Sequence, residues 1–241
     1  MEFINKNWIL DLVYPRHCPF CGEIQPYGAS SICRKCIPRL KRVEKPYCMR
    51  CGKTVSSEDE EYCNDCHMIP KSYEKGYPVF VYQDPLKKAL YDFKYHNQRE
   101  YAVFFAKCMY LCYRKEWERL EIDGIVPVPV HRRKRRARGY NQAYLLAKEL
   151  SKHLNVPCHA SYLVRISDTN PQKELNDKER MNNLKNAFKI GQNRIELKRV
   201  LLVDDIYTSG ATIDSCAKVL KSAAVEKVWY TSVAIGHGYS K

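Results

Sequence analysis

Over the C-terminal two-thirds of the chain, short apolar runs alternate with stretches of helical period. Residues 77–82 form an apolar and aromatic run, as a strand covered on both faces requires. Residues 84–96 follow at helical spacing with Pro85 in the first turn, where a missing N–H costs little. A second helix is predicted over 99–117, with Ala102, Phe105, Ala106, Met109 and Cys112 on one face. Residues 125–130 read as a strand ended by prolines, and a basic loop over 131–140 leads into a helix over 141–154. A short strand at 162–164 precedes a polar loop to Leu175, after which Asn176 and Glu179 have capping-box spacing. Further strands are predicted at 188–190, 200–203 and 227–235, with a helix over 212–222 between the last two. This alternation predicts an α/β fold with a mostly parallel sheet and helices on both faces.

The first seventy residues follow other rules. Phe3, Ile4, Trp8, Leu12 and Val13 recur at helical spacing, which predicts an amphipathic helix over 2–13 that packs on the next module. Residues 17–70 are organised by cysteines instead. The chain thus divides into an N-terminal helical segment (1–16), a cysteine module (17–70) and an α/β domain (71–241).

Composition narrows the class. At 241 residues, 45% hydrophobic and 12% aromatic, the chain can build one substantial core plus a smaller module, and it is not a disordered protein. No apolar run has the length of a bilayer span. Met1 to Tyr14 lacks the basic head and clean apolar stretch of a secretory signal, which predicts a cytoplasmic protein that reaches the inner membrane face only through partners. Twelve cysteines in such a chain point to metal rather than disulfides. The formal charge is +14, and eight thiolates holding two Zn²⁺ bring it to about +10. That balance favours polyanions such as nucleic acid, although a merely basic surface reads the same way.

The cysteines come as four Cys-x-x-Cys pairs: Cys18/Cys21, Cys33/Cys36, Cys48/Cys51 and Cys63/Cys66. Their starts are 15 residues apart, so spacing alone does not say which pairs share a metal. Gly22 and Gly52 follow the first and third pairs, whereas Ile37 and His67 follow the others, so the true repeat is 30 residues. It predicts two Cys₄ zinc ribbons taken in sequence, 18–36 and 48–66, ahead of a cross-brace; redox dithiols would not need four regularly spaced pairs. His17 and His67 abut ligands and could substitute in one site, but read first as exposed neighbours, and Cys108, Cys112, Cys158 and Cys216 read as inert core residues.

The candidate chemistry concentrates in residues 199–212. Asp204 and Asp205 close the strand over 200–203, at the end where open α/β sheets bind ligands. Thr208, Ser209, Gly210, Ala211 and Thr212 form a small polar turn entering a helix, a place where backbone N–H groups and the helix dipole hold phosphate. Carboxylates are poor phosphate neighbours but good acceptors for the vicinal hydroxyls of a ribose. The pattern fits a ribose 5-phosphate, and no lysine follows the glycine as a P-loop requires. Elsewhere, Arg132, Arg133, Lys134, Arg135, Arg136 and Arg138 place six cations in seven positions, beside Gly139 and Tyr140. Such a run meets pyrophosphate, a nucleic-acid backbone or simply solvent. With Tyr140 and 18 tyrosines in all, it suits a single strand held by charge and base stacking.

Four apolar residues, two acids and Thr208-Ser209-Gly210-Ala211-Thr212 resemble the phosphoribosyl pyrophosphate (PRPP) signature of type I phosphoribosyltransferases. Nearly end to end, the chain resembles the ComF (ComFC) competence-protein family, a double zinc ribbon on a phosphoribosyltransferase-like domain. Pro127-Val128-Pro129, Arg138-Gly139-Tyr140-Asn141-Gln142 with Leu146-Ala147, Gln172…Arg180…Asn183…Phe188, and Lys94-Tyr95 carry that likeness. The resemblance implies PRPP binding by Asp204, Asp205 and residues 208–212. It implies a pyrophosphate loop containing Val128, Pro129, Arg132, Arg138 and Gly139, and a closing flap over 165–180 that carries Gln172 and Arg180. Mg²⁺ would bridge pyrophosphate and ribose oxygens. Cations near the leaving group and a lid against water are what loss of pyrophosphate demands. Thr208 stands where relatives acting on purines often carry an acid, so no catalytic residue is assigned.

Three functions follow from these readings. The first is a ComF-type protein that binds PRPP and Mg²⁺ and handles incoming single-stranded DNA in natural transformation, with other competence proteins, such as the ComF helicase, as partners. The second is a salvage phosphoribosyltransferase acting on a base-like small molecule, with no DNA role. The third is a non-catalytic adaptor for which PRPP is a regulatory ligand and the ribbons bind protein or DNA.

Overall fold

The apolar runs become strands and the helical stretches become helices in the computed structural model, which describes residues 17–25, 32–167, 187–191 and 195–236. The strands are β1 (Gly76–Val81), β2 (Gly124–Pro127), β3 (Leu163–Arg165), β4 (Phe188–Ile190), β5 (Arg199–Tyr207) and β6 (Lys227–Ile235). The helices are α1 (Asn64–Met68), α2 (Leu86–Tyr95), α3 (Tyr101–Glu118), α4 (Arg132–Arg138), α5 (Gln142–Leu154) and α6 (Ala211–Ser222). Four strands form a wholly parallel sheet in the order β1-β6-β5-β2. Val203 of β5 lies between Thr231 of β6 and Pro127 of β2.

Burial explains why the central strands are apolar without alternation. Leu201 and Val203 of β5 face a core shared with α2, α3 and α5, whereas Val200 and Leu202 face one shared with α6. On α2, Leu86, Ala89, Leu90 and Phe93 are buried at helical spacing, and on α5 Ala143, Leu146, Ala147 and Leu150 are. Each large side chain so buried contributes roughly 1.5–3 kcal/mol. Asn141 caps α5 by accepting the Ala143 N–H at 3.1 Å, and Asn155, at φ +54°, ends it in the left-handed region. The cysteine module divides between the two cores. Cys18, Phe20 and Cys36 join the first, where Phe20 meets Phe104 edge-on at 5.8 Å; Cys48, Cys51 and Val55 join the second.

Several expectations need correction. Strand β5 does not close at the two acids but runs on to Tyr207, because β6 continues beside it and pairs Tyr207 with Ile235. The basic stretch after β2 is not a loop: Arg132–Arg138 form α4. The His131 side chain accepts the Arg133 N–H at one end, and Gly139, at φ +79°, stops the helix at the other. Arg and Lys are good helix formers, and their charges suit a helix C-terminus. Strands β3 and β4 stay outside the parallel sheet and pair with each other antiparallel, Leu163 opposite Ile190. The helix over 2–13, the cap at Asn176 and most of the 165–180 flap, with Gln172 and Arg180, lie outside the described residues. Among the described residues, no helix is long and apolar enough to cross a membrane.

Candidate functional site

The two cysteine units share the hydrogen bonds of their glycine knuckles. In the first, the Gly22 N–H donates to the Cys18 carbonyl at 2.9 Å and the Cys18 N–H to the Glu23 carbonyl at 2.8 Å; in the second, Gly52 and Cys48 do the same toward Cys48 and Lys53, at 2.8 and 2.7 Å. Both glycines have φ of +76°, the left-handed turn of the knuckle. An ion pair recurs with reversed polarity, Lys35–Glu23 at 3.3 Å against Lys53–Asp65 at 2.5 Å. Within Cys18, Cys21, Cys33 and Cys36, and again within Cys48, Cys51, Cys63 and Cys66, all sulfurs lie within 4.8 Å of one another. The Cys21–Cys33 and Cys51–Cys63 sulfur separations are both 3.6 Å. A tetrahedron of sulfurs about 2.3 Å from zinc has edges of about 3.8 Å, so the donor sets fit Zn²⁺. Both are structural Cys₄ zinc sites, with no position left for a reacting ligand. Exposed His17 and His67 are not among the ligands.

A second constellation gathers at the carboxyl end of β5. Asp205 accepts an ion pair from Lys94, the penultimate residue of α2, with Nζ 2.8 Å from Oδ2. Burial opposes the Lys94 charge, but the Asp205 carboxylate, backed by Asp204, outweighs it and raises the ammonium above its ordinary value. Burial also pushes Asp204 up to about 8, and the Asp205 charge adds to the push; the Asp205 N–H and Lys94 oppose it. Asp204 thus holds its proton more tightly than an ordinary carboxyl, and the Asp205 charge is matched by Lys94, which reduces the repulsion of an anionic ligand.

The turn follows at once. Gly210 sits at φ +78° as the N-terminal cap of α6 and brings no side chain to cover the first-turn N–H groups. A Cβ there would lie 2.1 Å from the Tyr207 hydroxyl, so the position accepts only glycine without a shift. Thr208 is exposed, and Ser209, Ala211 and Thr212 are half-buried around the opening. On the β2 side the Val128 N–H donates to the Val203 carbonyl at 2.9 Å, and the Val128 carbonyl accepts from Asn141 Nδ2 at 3.0 Å. Residues 128–129 are thereby fastened beside the acids.

Arg138 is the residue of α4 drawn into this neighbourhood. Its guanidinium donates to Gln142 Oε1 at 3.2 Å and to the Tyr95 hydroxyl at 3.1 Å. Gln142 in turn donates to the carbonyls of Phe93 and Lys94 at 3.4 Å. Arg132, Arg133, Arg135 and Arg136 stand exposed on α4, and Lys134 is half-buried. Tyr140 needs correction as a stacking residue. Only 6% of it is exposed, its hydroxyl donates to the Phe93 carbonyl, and Arg99 covers the ring at 4.8 Å. Its apolar ring fills the core beside Phe93, and the helix turn before it carries the charges instead.

Sequence reasoning missed two features. Lys94 is marked only by likeness to a family, and nothing in its local pattern shows that it reaches Asp205. The other is a tyrosine stack joining the second ribbon to the turn. Tyr207 and Tyr230 stack at 4.7 Å and 9°, the Tyr207 and Tyr73 hydroxyls share a hydrogen bond at 2.8 Å, and the Tyr230 hydroxyl donates to the Cys51 carbonyl at 2.7 Å. Aromatic enrichment is the only signal in the sequence that points toward it.

Comparison with known proteins adds an independent line. A family model described as a double zinc ribbon domain matches residues 9–67. The chain is 32% identical over 216 residues to competence protein F of Haemophilus influenzae, covering 88% of this chain and 93% of that protein. It is 29% identical over 223 residues to DNA utilization protein YhgH of Escherichia coli, covering 90% and 97%. Against competence protein ComFC of Bacillus subtilis the identity is 27% over 195 residues, covering 78% and 77%.

Proposed function

We propose that this chain, which belongs to the ComF family of competence proteins, binds PRPP with Mg²⁺ at the β5–α6 turn and handles single-stranded DNA alongside it in natural transformation. The observation that carries the reading is the Lys94–Asp205 pair at the end of a parallel strand, one short turn before the glycine-capped start of α6. A ribose 5-phosphate needs acceptors for its hydroxyls and N–H donors for its phosphate, spaced by one sugar. Asp205 accepts from a ribose hydroxyl, and Asp204, whose carboxyl is raised by burial and the Asp205 charge, accepts from one when ionised and donates to one when protonated. The first-turn N–H groups of α6 and the hydroxyls of Thr208, Ser209 and Thr212 face the phosphate. Val128, Pro129, Gly139 and Arg138 border the side where pyrophosphate would lie, with Arg132 exposed at the start of α4. Mg²⁺ brought with PRPP would supply charge neutralisation for the pyrophosphate. Thr208 offers no base at neutral pH, so the reading assigns binding and not turnover.

Calorimetric titration with PRPP and Mg²⁺, in the presence and absence of single-stranded DNA, tests both halves. Asp204→Asn/Asp205→Asn removes the charge-assisted acceptor that Asp205 provides, worth about 1.5–3 kcal/mol, and should weaken PRPP binding at least about tenfold. Equal affinity in wild type and this variant would place the sugar site elsewhere.

A further inference from the structure

Helix α2 has a second face that the core does not use. Leu86, Ala89, Leu90 and Phe93 are buried, while Lys87, Lys88, Tyr91 and Tyr95 point outward. Tyr91 is 55% exposed and Tyr95 54%, one helical turn apart, with ring centroids 4.9 Å from each other. His96 sets its edge on Tyr91 at 5.5 Å. The Arg138 guanidinium lies 5.0 Å from the Tyr95 ring centre and also donates to its hydroxyl. Isolated exposed aromatics are ordinary, but here three rings and a cation cluster, with the two tyrosine rings inclined at 46° to each other. Lys87 and Lys88 flank the rings on α2, and Arg138 belongs to α4, whose Arg132, Arg133, Arg135 and Arg136 are exposed. The Asp92 carboxylate on the same helix is engaged by His96 at 2.7 Å.

We propose that Tyr91 and Tyr95, with Arg138 laid over Tyr95, form a base-stacking platform for single-stranded nucleic acid, whose phosphates run along the arginines of α4. The inference rests on the DNA-handling half of the proposed function and gives it a site. Stacking needs the open face of a base, which a single strand offers and a duplex hides between its pairs. Tyrosine faces bind such bases with little regard to sequence, and a flanking guanidinium adds a cation–π contribution. A cationic rim around aromatic faces suits a polyanion better than an apolar or basic protein surface. The platform also adjoins the sugar site, because Tyr95 follows Lys94 and Arg138 ties Tyr95 to Gln142.

Fluorescence anisotropy with a labelled oligothymidine, an abasic strand of the same length and a duplex tests the proposal. Wild type should bind oligothymidine at least about tenfold more tightly than the abasic strand, since each stacked base contributes on that order. Tyr91→Leu/Tyr95→Leu should lose at least about tenfold for oligothymidine while its salt slope and duplex affinity stay unchanged. Tyr91→Phe/Tyr95→Phe, which keeps the ring faces, should stay within about threefold of wild type. Equal binding of the abasic strand and oligothymidine by wild type overturns the platform whether or not the variants fold. So does a Leu variant matching wild type, as it would if these rings seat a protein, or one losing duplex and single strand alike. In each of those cases the DNA reading itself stands. Wild type that binds no single strand at all removes both.

Discussion

The Asp205 carboxylate is mostly enclosed, and its charge is tolerable because Lys94 reaches it from α2. Removing one member of such a pair leaves the other buried without compensation. Lys94→Gln should therefore destabilise the fold by about 3 kcal/mol, the lower end of the cost for a buried pair, because both groups retain slight solvent access. Lys94→Gln/Asp205→Asn should recover part of that loss, as a double-mutant cycle in urea would measure. Asp204 behaves differently, since its carboxyl lies near 8 in the folded chain against an ordinary value of 3.8. Between those values the folded chain holds a proton that the unfolded chain has released. Stability therefore falls as pH rises through this window, and the loss is complete above about 8. Asparagine does not titrate. Asp204→Asn should thus gain stability over wild type steadily between about pH 5 and about pH 8, and thermal melts across that range would show a flat difference if the assignment is wrong.

At the scale of elements, α4 is the unusual piece: a helix of cations with no buried residue. Its sequence has no apolar stripe to hold it, so the His131 and Gly139 caps and the Arg138 anchor fix its place. Two uses of its charges separate by salt response. Each contact to a single-strand phosphate contributes a slope of about −0.7 in log K against log[salt]. Arg133→Ala/Lys134→Ala/Arg136→Ala should flatten the slope for single-stranded DNA by about two while leaving PRPP affinity within a few-fold. An unchanged DNA slope together with lost PRPP binding would assign α4 to pyrophosphate alone.

In the whole molecule the two zinc ribbons are not equivalent, although their internal bonds repeat. The first packs Phe20 on α3; the second touches the tyrosine stack behind the β5–α6 turn. Native mass spectrometry should find two zinc ions in wild type and one each in Cys21→Ser and Cys51→Ser. Only Cys51→Ser should also change the near-ultraviolet dichroism of the tyrosines and weaken ligand binding at the turn. The ribbons and most of the strands are legible in the residues alone. Four Cys-x-x-Cys pairs with alternating glycines point to their own pairing, and residues 228–235 are apolar enough to be read as a buried strand. Both signals are local, since a knuckle or a strand is determined by residues a few positions apart. The length of β5 is not local: its two acids interrupt the apolar run, and pairing with β6 carries it to Tyr207. Nor can a run of arginines announce a helix held by its two ends. Tyr91, Tyr95 and Tyr140 are the same residue type in similar polar company, yet two are exposed and one is buried. What separates them is which neighbouring element lies across each ring, and the Lys94–Asp205 pair depends on the same thing. Periodicity records which side of an element faces inward, whereas the partner waiting there comes from a distant part of the chain and exists only once the sheet and helices have packed.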